Sequence, residues 1–218
     1  CNCFVCETGR LTGIDAIAEY AEKMGLCERT GIELTEEVAG NVSNPAYKKT
    51  LYTTDEDKRW VGGDTIQTAI GQSFSAFTPI GLANYAATIA NGGTRYKTHI
   101  IKSVHSTVDG SLIYENKPEI LNEIEISDDN LNAIKLGMLG VADEGSAKQI
   151  FSGYPISVGG KTGTAQISKK ASNNALFITF APFDKPEIAI AVVIEHGYRG
   201  ANAAYVARDI YDESFGLK

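Results

Sequence analysis

The sequence predicts an α/β domain of the α+β type, in which an antiparallel sheet is flanked by helices. Three strand-like segments follow one another in the last third of the chain with short connections, which favours antiparallel pairing. Helical patterns precede them and another closes the chain, so helices from both ends can cover the sheet. The predicted strands are 156–166, 175–181 and 188–195, and the predicted helices are 11–24, 65–73, 79–90, 128–142 and 201–215.

Capping signals support several of these helices. Gly25 ends the first, Thr78 followed by Pro79 begins the third, and Ser127 caps the fourth. The residues expected to face the core are Leu11, Ile14, Ile17, Ala18, Ala21 and Met24 in the first helix, Leu82, Tyr85, Ala86 and Ile89 in the third, Leu131, Ile134, Met138 and Leu139 in the fourth, and Tyr205, Val206, Ile210 and Tyr211 in the last.

Two segments between the helices are predicted to lack helical structure. Residues 27–60 are polar and contain Asn44-Pro45, so we expect a long irregular connection, and loops of this length are usually functional or mobile. Residues 96–104 and 111–114 flank Asp109-Gly110, which is a hairpin signal.

Length and composition indicate one domain, residues 1–218, with a sizeable core. Hydrophobic residues make up 43% of the 218, and the net charge of −7 argues against a nucleic-acid partner. No apolar run approaches the roughly 18 residues of a membrane span, and no secretory signal opens the chain. Because it begins Cys-Asn-Cys-Phe without methionine, we expect it to be part of a longer protein.

The four cysteines, Cys1, Cys3, Cys6 and Cys27, do not have the spacing of a zinc site. The nearest histidine is His99, and Cys27 has no close partner in sequence. We therefore expect no metal, and interpret the cysteines as small buried apolar side chains.

The most specific motif is the run Gly-Gly-Lys-Thr-Gly-Thr-Ala-Gln at residues 159–166. A Lys-Thr-Gly on a strand edge is a signature of serine acyl-transferases that react with penicillin. The glycines would let a substrate backbone lie along the strand, and Lys161 would attract a carboxylate. Thr162 and Thr164 stand at alternate positions and so share one side of the strand. The tripeptide alone is equally compatible with a surface strand that has a glycine bulge.

An ordered set of further blocks makes the chain similar to one family, the transpeptidase domain of class B penicillin-binding proteins, which cross-link bacterial peptidoglycan. The blocks are Gly-Ile-Asp at 13–15, Ala-Glu-Tyr-Ala at 18–21, Thr-Gly-Ile-Glu-Leu at 30–34, Trp60 with Gly-Asp-Thr at 63–65, Ile-Gly-Gln-Ser at 70–73, Thr-Pro at 78–79, Ile-Ala-Asn-Gly-Gly at 89–93, the run at 160–166, Phe-Ala-Pro at 180–182 and Val-Val-Ile-Glu at 192–195.

Two of the three active-site motifs of that family are incomplete here. No serine is followed three residues later by lysine, so the Ser-x-x-Lys nucleophile motif is absent. Cys1-Asn2 resembles the end of Ser-x-Asn. Ser172-Asn173-Asn174 also fits that pattern but follows the Lys-Thr-Gly run, so we interpret it as a turn. The resemblance implies a penicillin-binding protein/serine β-lactamase-like fold truncated at the N-terminus.

The resemblance implies a two-step acyl transfer and no cofactor. A serine attacks the penultimate D-alanine carbonyl of a stem peptide and releases D-alanine, and the amine of a second stem then closes the cross-link. Lys161 and the Thr164 hydroxyl would bind the donor carboxylate, and the Thr164 N–H would serve the oxyanion hole. Thr162 would orient the strand edge, and Gly163 would permit close approach of the substrate. Gln166 would contact substrate and Asn2 would bond the substrate amide.

Other polar residues receive lesser roles. Trp60 and Asp64 are expected to fix a loop, and Glu195, Tyr198 and Arg199 to line the far end of the cleft. His99, His105 and His196 are separated in sequence and receive no catalytic role.

The resemblance also implies partners and a location. The partners are the peptidoglycan stem peptide, β-lactam antibiotics and, for the parent protein, a cell-wall synthesis complex that serves cell shape or division. The location is the extracytoplasmic face of the membrane, to which an N-terminal segment would anchor the parent protein. Without the nucleophile segment, we expect the chain to be inactive by itself. An apolar face should also be left uncovered, which self-association or a second chain would shield.

Two alternatives stay open. One is a β-lactamase or β-lactam sensor of the same superfamily, which drug hydrolysis by the full-length protein would indicate. The other is a non-catalytic interaction module of the same fold. An intact Ser-x-x-Lys upstream of Cys1 would favour the enzyme over this module.

Overall fold

The computed structural model describes residues 2–168 and 170–217. The elements are, in chain order, α1 (Asn2–Thr12), α2 (Ile14–Lys23), α3 (Pro45–Leu51), α4 (Asp55–Lys58), α5 (Gly62–Ala69), α6 (Pro79–Ala90), β1 (Thr94–Tyr96), β2 (Ser103–His105), β3 (Leu112–Glu115), β4 (Ile120–Glu123), α7 (Asp128–Asp143), α8 (Lys148–Phe151), β5 (Gly159–Ala165), β6 (Asn174–Ala181), β7 (Ile188–Ile194) and α9 (Gly200–Ser214).

The predicted antiparallel sheet is confirmed. Its described strands lie in the order β5-β6-β7, and both pairings are antiparallel without a register shift. β6 lies in the middle and carries the fully buried Phe177 and Phe180 on opposite faces. In the described part of the chain β5 pairs only with β6, so its other edge is open.

One face of the sheet is covered by α9, on a side of the helix that we predicted incorrectly. Ala203, Ala204, Ala207 and Tyr211 are fully buried against Phe177 and its neighbours. The other three predicted core residues are exposed: Tyr205 by 54%, Val206 by 42% and Ile210 by 40%. Three alanines let the helix backbone approach the sheet closely, whereas the prediction followed the larger side chains.

The opposite face is covered by α6 and α7. Ile89 and Met138 pack on Phe180, and Lys135 Nζ lies 5.6 Å from the centre of the Phe180 ring. Thr78 caps α6 by accepting the N–H of Gly81, with Pro79 as the first helical residue. Of the predicted inward residues in α7, only Ile134 is exposed, by 40%.

The predicted helix 11–24 is in fact two helices. Gly13 has φ +80°, a conformation that interrupts the helix, and α1 extends back to Asn2. α1 packs on α5 so closely that a Cβ on Gly9 would lie 2.2 Å from Cβ of Ala69. Leu11 is 70% exposed, so the prediction that it faces the core is wrong.

The segment 27–60 is less irregular than predicted. Asn44 caps α3 by accepting the N–H of Tyr47, and Pro45 begins that helix, while Thr54 caps α4. Asn-Pro here is a helix start of the same kind as Thr78-Pro79. α5 likewise begins at Gly62, three residues before the predicted start, and ends at Ala69, four residues before the predicted end.

The hairpin around Asp109-Gly110 is confirmed as β2–β3. The predicted strand 96–104 is wrong, because its two ends belong to different sheets. Tyr96 ends β1, which pairs with β4, and Val104 lies in β2. The predicted strand 156–166 is shorter and covers Gly159–Ala165.

The prediction that the cysteines are buried is wrong. Cys3 is exposed, Cys6 and Cys27 are half-buried, and all three are free thiols. Cys1 lies outside the described residues. Gly9 is the buried residue of α1, so Cys3 lies on a side of the helix that faces solvent. Burial raises the pKa of the Cys27 thiol.

Residues 2–168 and 170–217 contain no group of three His, Cys, Asp or Glu side chains able to hold a metal ion. No helix within these ranges has both the length and the apolar character needed to cross a bilayer.

Candidate active site

The glycines of the Lys-Thr-Gly run serve the packing of the sheet. A Cβ on Gly159 would lie 2.6 Å from the Phe180 ring, and one on Gly160 would lie 2.5 Å from the Phe177 ring. These two glycines therefore admit aromatic rings of β6, and not a substrate backbone as the sequence suggested. Gly163 has more space, since its nearest neighbour would be Cβ of Leu176 at 3.3 Å.

The open edge of β5 presents main-chain groups of Thr162 and Thr164. Lys161 Nζ donates to the carbonyl of Thr162 at 2.6 Å, and Gln72 Nε2 donates to the carbonyl of Thr164 at 3.4 Å. In an antiparallel strand the N–H and C=O of one residue point to the same side. The N–H of Thr164 is therefore directed to the open edge as well, where an oxyanion-hole donor would have to lie.

The hydroxyl of Thr164 is oriented by the start of α9. Its Oγ1 accepts the N–H of Gly200 at 3.0 Å. Since a hydroxyl has one proton to donate, this contact leaves that proton available to an acceptor in the exposed space around Thr164. Gly200 has to be glycine, because a Cβ there would lie 2.4 Å from the carbonyl oxygen of Gly163.

Thr162 is held by a serine that the sequence did not single out. Ser146 Oγ and Thr162 Oγ1 are 2.7 Å apart, and either can be the donor. Ser146 lies in the turn between α7 and α8. A lone serine after Glu144-Gly145 gives no signal in the sequence, because the contact depends on how the turn packs on β5.

Lys161 supplies an exposed positive charge at the same edge. Its ammonium group has no carboxylate within salt-bridge distance in the described part of the chain. Its bond to the Thr162 carbonyl keeps the charge on the open side of β5. Gln166 follows the end of β5 and is also exposed.

Asn2 belongs to a different element from the other predicted site residues. It is the first residue of α1 and is exposed. No hydrogen bond of the described residues joins Asn2 to Lys161. α1 packs on α5, and the turn that follows α5 carries Gln72, so α5 is the element that links α1 to the Thr164 edge.

The turn between β7 and α9 lies beside Thr164. We interpreted Ser172-Asn173-Asn174 as a turn, but only Ser172 and Asn173 lie in the β5–β6 connection, and Asn174 begins β6. All three support the β7–α9 turn through hydrogen bonds. His196 belongs to it, whereas His99 and His105 lie in the region of the small sheets. Tyr198 and Arg199 are exposed at its end, next to Gly200.

An ion pair fixes the loop that carries Trp60, as predicted. Lys48 Nζ lies 2.8 Å from Asp64 Oδ2, with side chains 10% and 17% exposed, and also donates to the carbonyl of Arg59. Burial raises the pKa of Asp64, but hydrogen bonds from Lys48 and the Val61 N–H, with the Lys48 charge, outweigh it and lower that pKa overall. Trp60 Nε1 donates to Thr65 Oγ1.

An apolar groove is open to solvent on the helical side of the molecule. It has a volume of about 830 Å³ and lies between α2, α6 and α7. Ile17, Met24, Tyr85 and Ile134 are among the residues that line it.

Comparison with known proteins places these features in one family. A family model described as the penicillin-binding protein transpeptidase domain matches residues 1–212. The peptidoglycan D,D-transpeptidase MrdA of Acinetobacter baumannii is 31% identical over 215 residues, covering 92% of this chain and 31% of the relative. Penicillin-binding protein 2A of Bacillus subtilis is 31% identical over 225 residues, covering 95% of this chain and 29% of the relative.

Solved structures of penicillin-binding proteins are also similar to this chain. An imipenem acyl-enzyme complex of penicillin-binding protein A from Mycobacterium tuberculosis has a TM-score of 0.80 at 26% identity, and the match covers 99% of this chain and 45% of that one. A complex of Pseudomonas aeruginosa PBP2 with WCK 5153 has a TM-score of 0.81 at 28% identity, covering 97% and 46%.

The chain spans about a third of the length of the curated relatives it matches, with shares of 31% and 29%. The family match nevertheless extends over nearly all of its 218 residues. As the sequence motifs indicated, the chain belongs to the transpeptidase domain family of class B penicillin-binding proteins.

Proposed function

We propose that residues 1–218 form the C-terminal part of a peptidoglycan D,D-transpeptidase domain and bind the donor stem peptide along β5. The observation that carries this proposal is the arrangement at Thr164. Its N–H is directed to the open edge and its hydroxyl proton is left available by the Gly200 contact. The Lys161 ammonium donates to the Thr162 carbonyl on the same edge and has no carboxylate partner among the described residues.

This arrangement suits a peptide that ends in a carboxylate. Lys161 and the Thr164 hydroxyl supply a charge and a hydrogen-bond donor for the terminal carboxylate of the donor peptide. The Thr164 N–H supplies a donor for the oxygen of the carbonyl under attack, where negative charge develops. β-Lactams carry a carboxylate and a reactive carbonyl at a similar separation, so the same groups would bind them.

The reaction needs a nucleophile from a Ser-x-x-Lys segment, which this chain does not contain. In the full-length protein, the serine oxygen forms a bond to the penultimate D-alanine carbonyl while its proton is taken by a base. The tetrahedral intermediate expels D-alanine, whose nitrogen gains a proton. The amine of a second stem then forms the new peptide bond and releases the serine. Lys161, Thr164 and Asn2 would stabilise and orient the acyl donor through both steps.

The curated relatives favour a cross-linking enzyme over a β-lactamase, since the A. baumannii relative is named a peptidoglycan D,D-transpeptidase. By the same similarity, we propose the extracytoplasmic face of the bacterial membrane as the location and a cell-wall synthesis complex as the setting. The apolar groove between α2, α6 and α7 would be covered by a further segment of the protein or by a second chain.

Labelling with a fluorescent penicillin tests the proposal. The full-length protein should form a stable adduct. Thr164→Val, which removes only the hydroxyl, should slow adduct formation about 10- to 100-fold, the value of a hydrogen bond to a charged group. Thr164→Ser keeps the hydroxyl and is the matched control. Residues 1–218 purified alone should form no covalent adduct.

Three outcomes would contradict the proposal. No adduct with the full-length protein would favour a non-catalytic module. Rapid turnover of the penicillin would favour a β-lactamase. A covalent adduct with residues 1–218 alone would show that the nucleophile lies within this chain.

A further inference from the structure

The turn between β7 and α9 has an unusual backbone. His196 has φ +55° and Tyr198 has φ +74°, in the left-handed region that side chains larger than asparagine rarely adopt. Glycine would adopt the same conformation without strain. Bulky residues persist in such conformations only where the surroundings fix them, and these sites cluster at functional positions.

The turn is fixed by hydrogen bonds from three sides. The His196 N–H donates to Asn174 Oδ1 at 3.0 Å, and the Tyr198 N–H donates to the Asn173 carbonyl at 2.9 Å. The Gly197 carbonyl accepts from Asn202 Nδ2 at 2.7 Å. A Cβ on Gly197 would lie 2.7 Å from Cβ of Ala175, so the turn rests directly on β6. It is therefore rigid, and its strain is maintained by neighbours.

This rigid turn presents two exposed side chains beside the site. Tyr198 is 61% exposed, and the Arg199 guanidinium carbon lies 5.4 Å from the centre of the Tyr198 ring. Within the described residues, Arg199 has no carboxylate within salt-bridge distance. The next residue, Gly200, binds Thr164 Oγ1, so Tyr198 and Arg199 directly adjoin the end of the β5 edge.

We propose that Tyr198 and Arg199 form a specificity platform for the acyl donor. The Tyr198 ring packs on a planar amide or ring of the ligand, and the Arg199 guanidinium binds a second carboxylate, on a side chain of the ligand, distinct from the terminal one held by Lys161 and Thr164. This inference rests on the proposed function and deepens it by assigning a preference for donors with an additional carboxylate.

Two penicillins that differ by one carboxylate test the charge preference. Carbenicillin is benzylpenicillin with a carboxylate on the side-chain carbon next to the amide. Arg199→Gln in the full-length protein should lower the second-order acylation rate by carbenicillin at least 5-fold relative to wild type, with less than a 2-fold change for benzylpenicillin. Lys185→Gln makes the same charge change in the β6–β7 connection, at the opposite end of the sheet, and should alter neither rate.

A glycine variant tests the tyrosine. Tyr198→Gly removes the ring and relieves the strained backbone, so the melting temperature should be equal to or higher than that of wild type while acylation by both penicillins falls at least 3-fold. Equal effects of Arg199→Gln on both penicillins, no effect on either, or full activity of a stable Tyr198→Gly protein would overturn the platform. Failure of the wild type to react with either penicillin would overturn the proposed function itself.

Discussion

Gln72 Nε2 donates to the main-chain carbonyl of Thr164 at 3.4 Å and so joins the turn after α5 to the edge of β5 across 92 positions of sequence. The Gln72 turn has φ +77° at Gly71 and φ +72° at Ser73. A separation of 3.4 Å makes this hydrogen bond long and weak. It occupies the carbonyl that the N–H of a peptide lying along β5 would use.

We therefore expect Gln72 to compete with ligands for this acceptor. Gln72→Ala should speed acylation of the full-length protein by a penicillin with an amide side chain about 2- to 5-fold, since a neutral hydrogen bond contributes about 1 kcal/mol or less. Stopped-flow or gel-based acylation rates would measure this. Gln67→Ala, on the exposed side of α5, is the control and should leave the rate unchanged. Slower acylation of Gln72→Ala would mean that Gln72 positions Thr164 instead.

The contact between Gly200 and Gly163 should be essential to both stability and the site. In Gly200→Ala the new Cβ would lie 2.4 Å from the Gly163 carbonyl oxygen, so α9 has to move away from β5. We expect a loss of about 2–3 kcal/mol in the free energy of unfolding and weaker orientation of the Thr164 hydroxyl. Urea unfolding measures the first effect, and acylation of the full-length protein the second.

Gly140→Ala in α7 is the matched control for that substitution. Apart from its chain neighbours and its own helix backbone, no atom lies within 4 Å of the position its Cβ would take, so Gly140→Ala should stabilise the protein by about 0.5–1 kcal/mol through the helix preference of alanine. A Gly200→Ala protein as stable as wild type would contradict the close packing of α9 on Gly163.

The sequence predicted the sheet and its flanking helices because their patterns are local. The three strands are apolar and separated by short turns, and Thr78-Pro79 and Ser127 are capping signals that tertiary contacts did not override. The buried side of α9 was predicted incorrectly. The close approach of α9 to the sheet requires small side chains, whereas the large apolar side chains of α9 lie mainly on its exposed side. Asn44-Pro45 begins a helix where we expect an irregular connection, because it carries the same signal as Thr78-Pro79.

The site was only partly predictable for a related reason. Lys161 and Thr164 are adjacent in one strand, so their motif could be recognised. Ser146 and Gln72 reach β5 from other elements, and nothing in the sequence indicates these contacts. The left-handed conformation of Tyr198 was also not predictable, since a tyrosine there contradicts its own backbone preference and is fixed by Asn173.

The Lys48–Asp64 pair should make the free energy of unfolding depend on pH in the acidic range. The pKa of Asp64 is lowered in the folded protein, so the pair stabilises it fully above the unfolded pKa of about 3.9 and the contribution is lost as pH falls through the lower folded pKa. Asp64→Asn should reduce the free energy of unfolding at pH 7 by about 3 kcal/mol, because Lys48 is left buried without its partner. The loss relative to wild type should shrink between pH 4 and pH 2.

Urea unfolding of both proteins across this pH range measures the difference. Glu56→Gln removes an exposed carboxylate from the neighbouring α4 and should leave stability at pH 7 within about 0.5 kcal/mol of wild type. A constant difference between Asp64→Asn and wild type down to pH 2 would show that the Asp64 charge does not contribute.

The side of α9 that packs on the sheet should tolerate substitution far less than the side that carries its larger apolar residues. Ala204 is fully buried, so Ala204→Leu inserts three carbons where helix and sheet are in contact and should cost about 2–3 kcal/mol of unfolding free energy. Tyr205, its neighbour, is 54% exposed, and Tyr205→Ala should change stability by only about 0.5 kcal/mol. Thermal or urea unfolding compares the two directly. A larger loss of stability for Tyr205→Ala than for Ala204→Leu would contradict the packing of the three alanines on β6. It would mean that the side of α9 with the larger apolar residues is the buried one, as periodicity alone predicts.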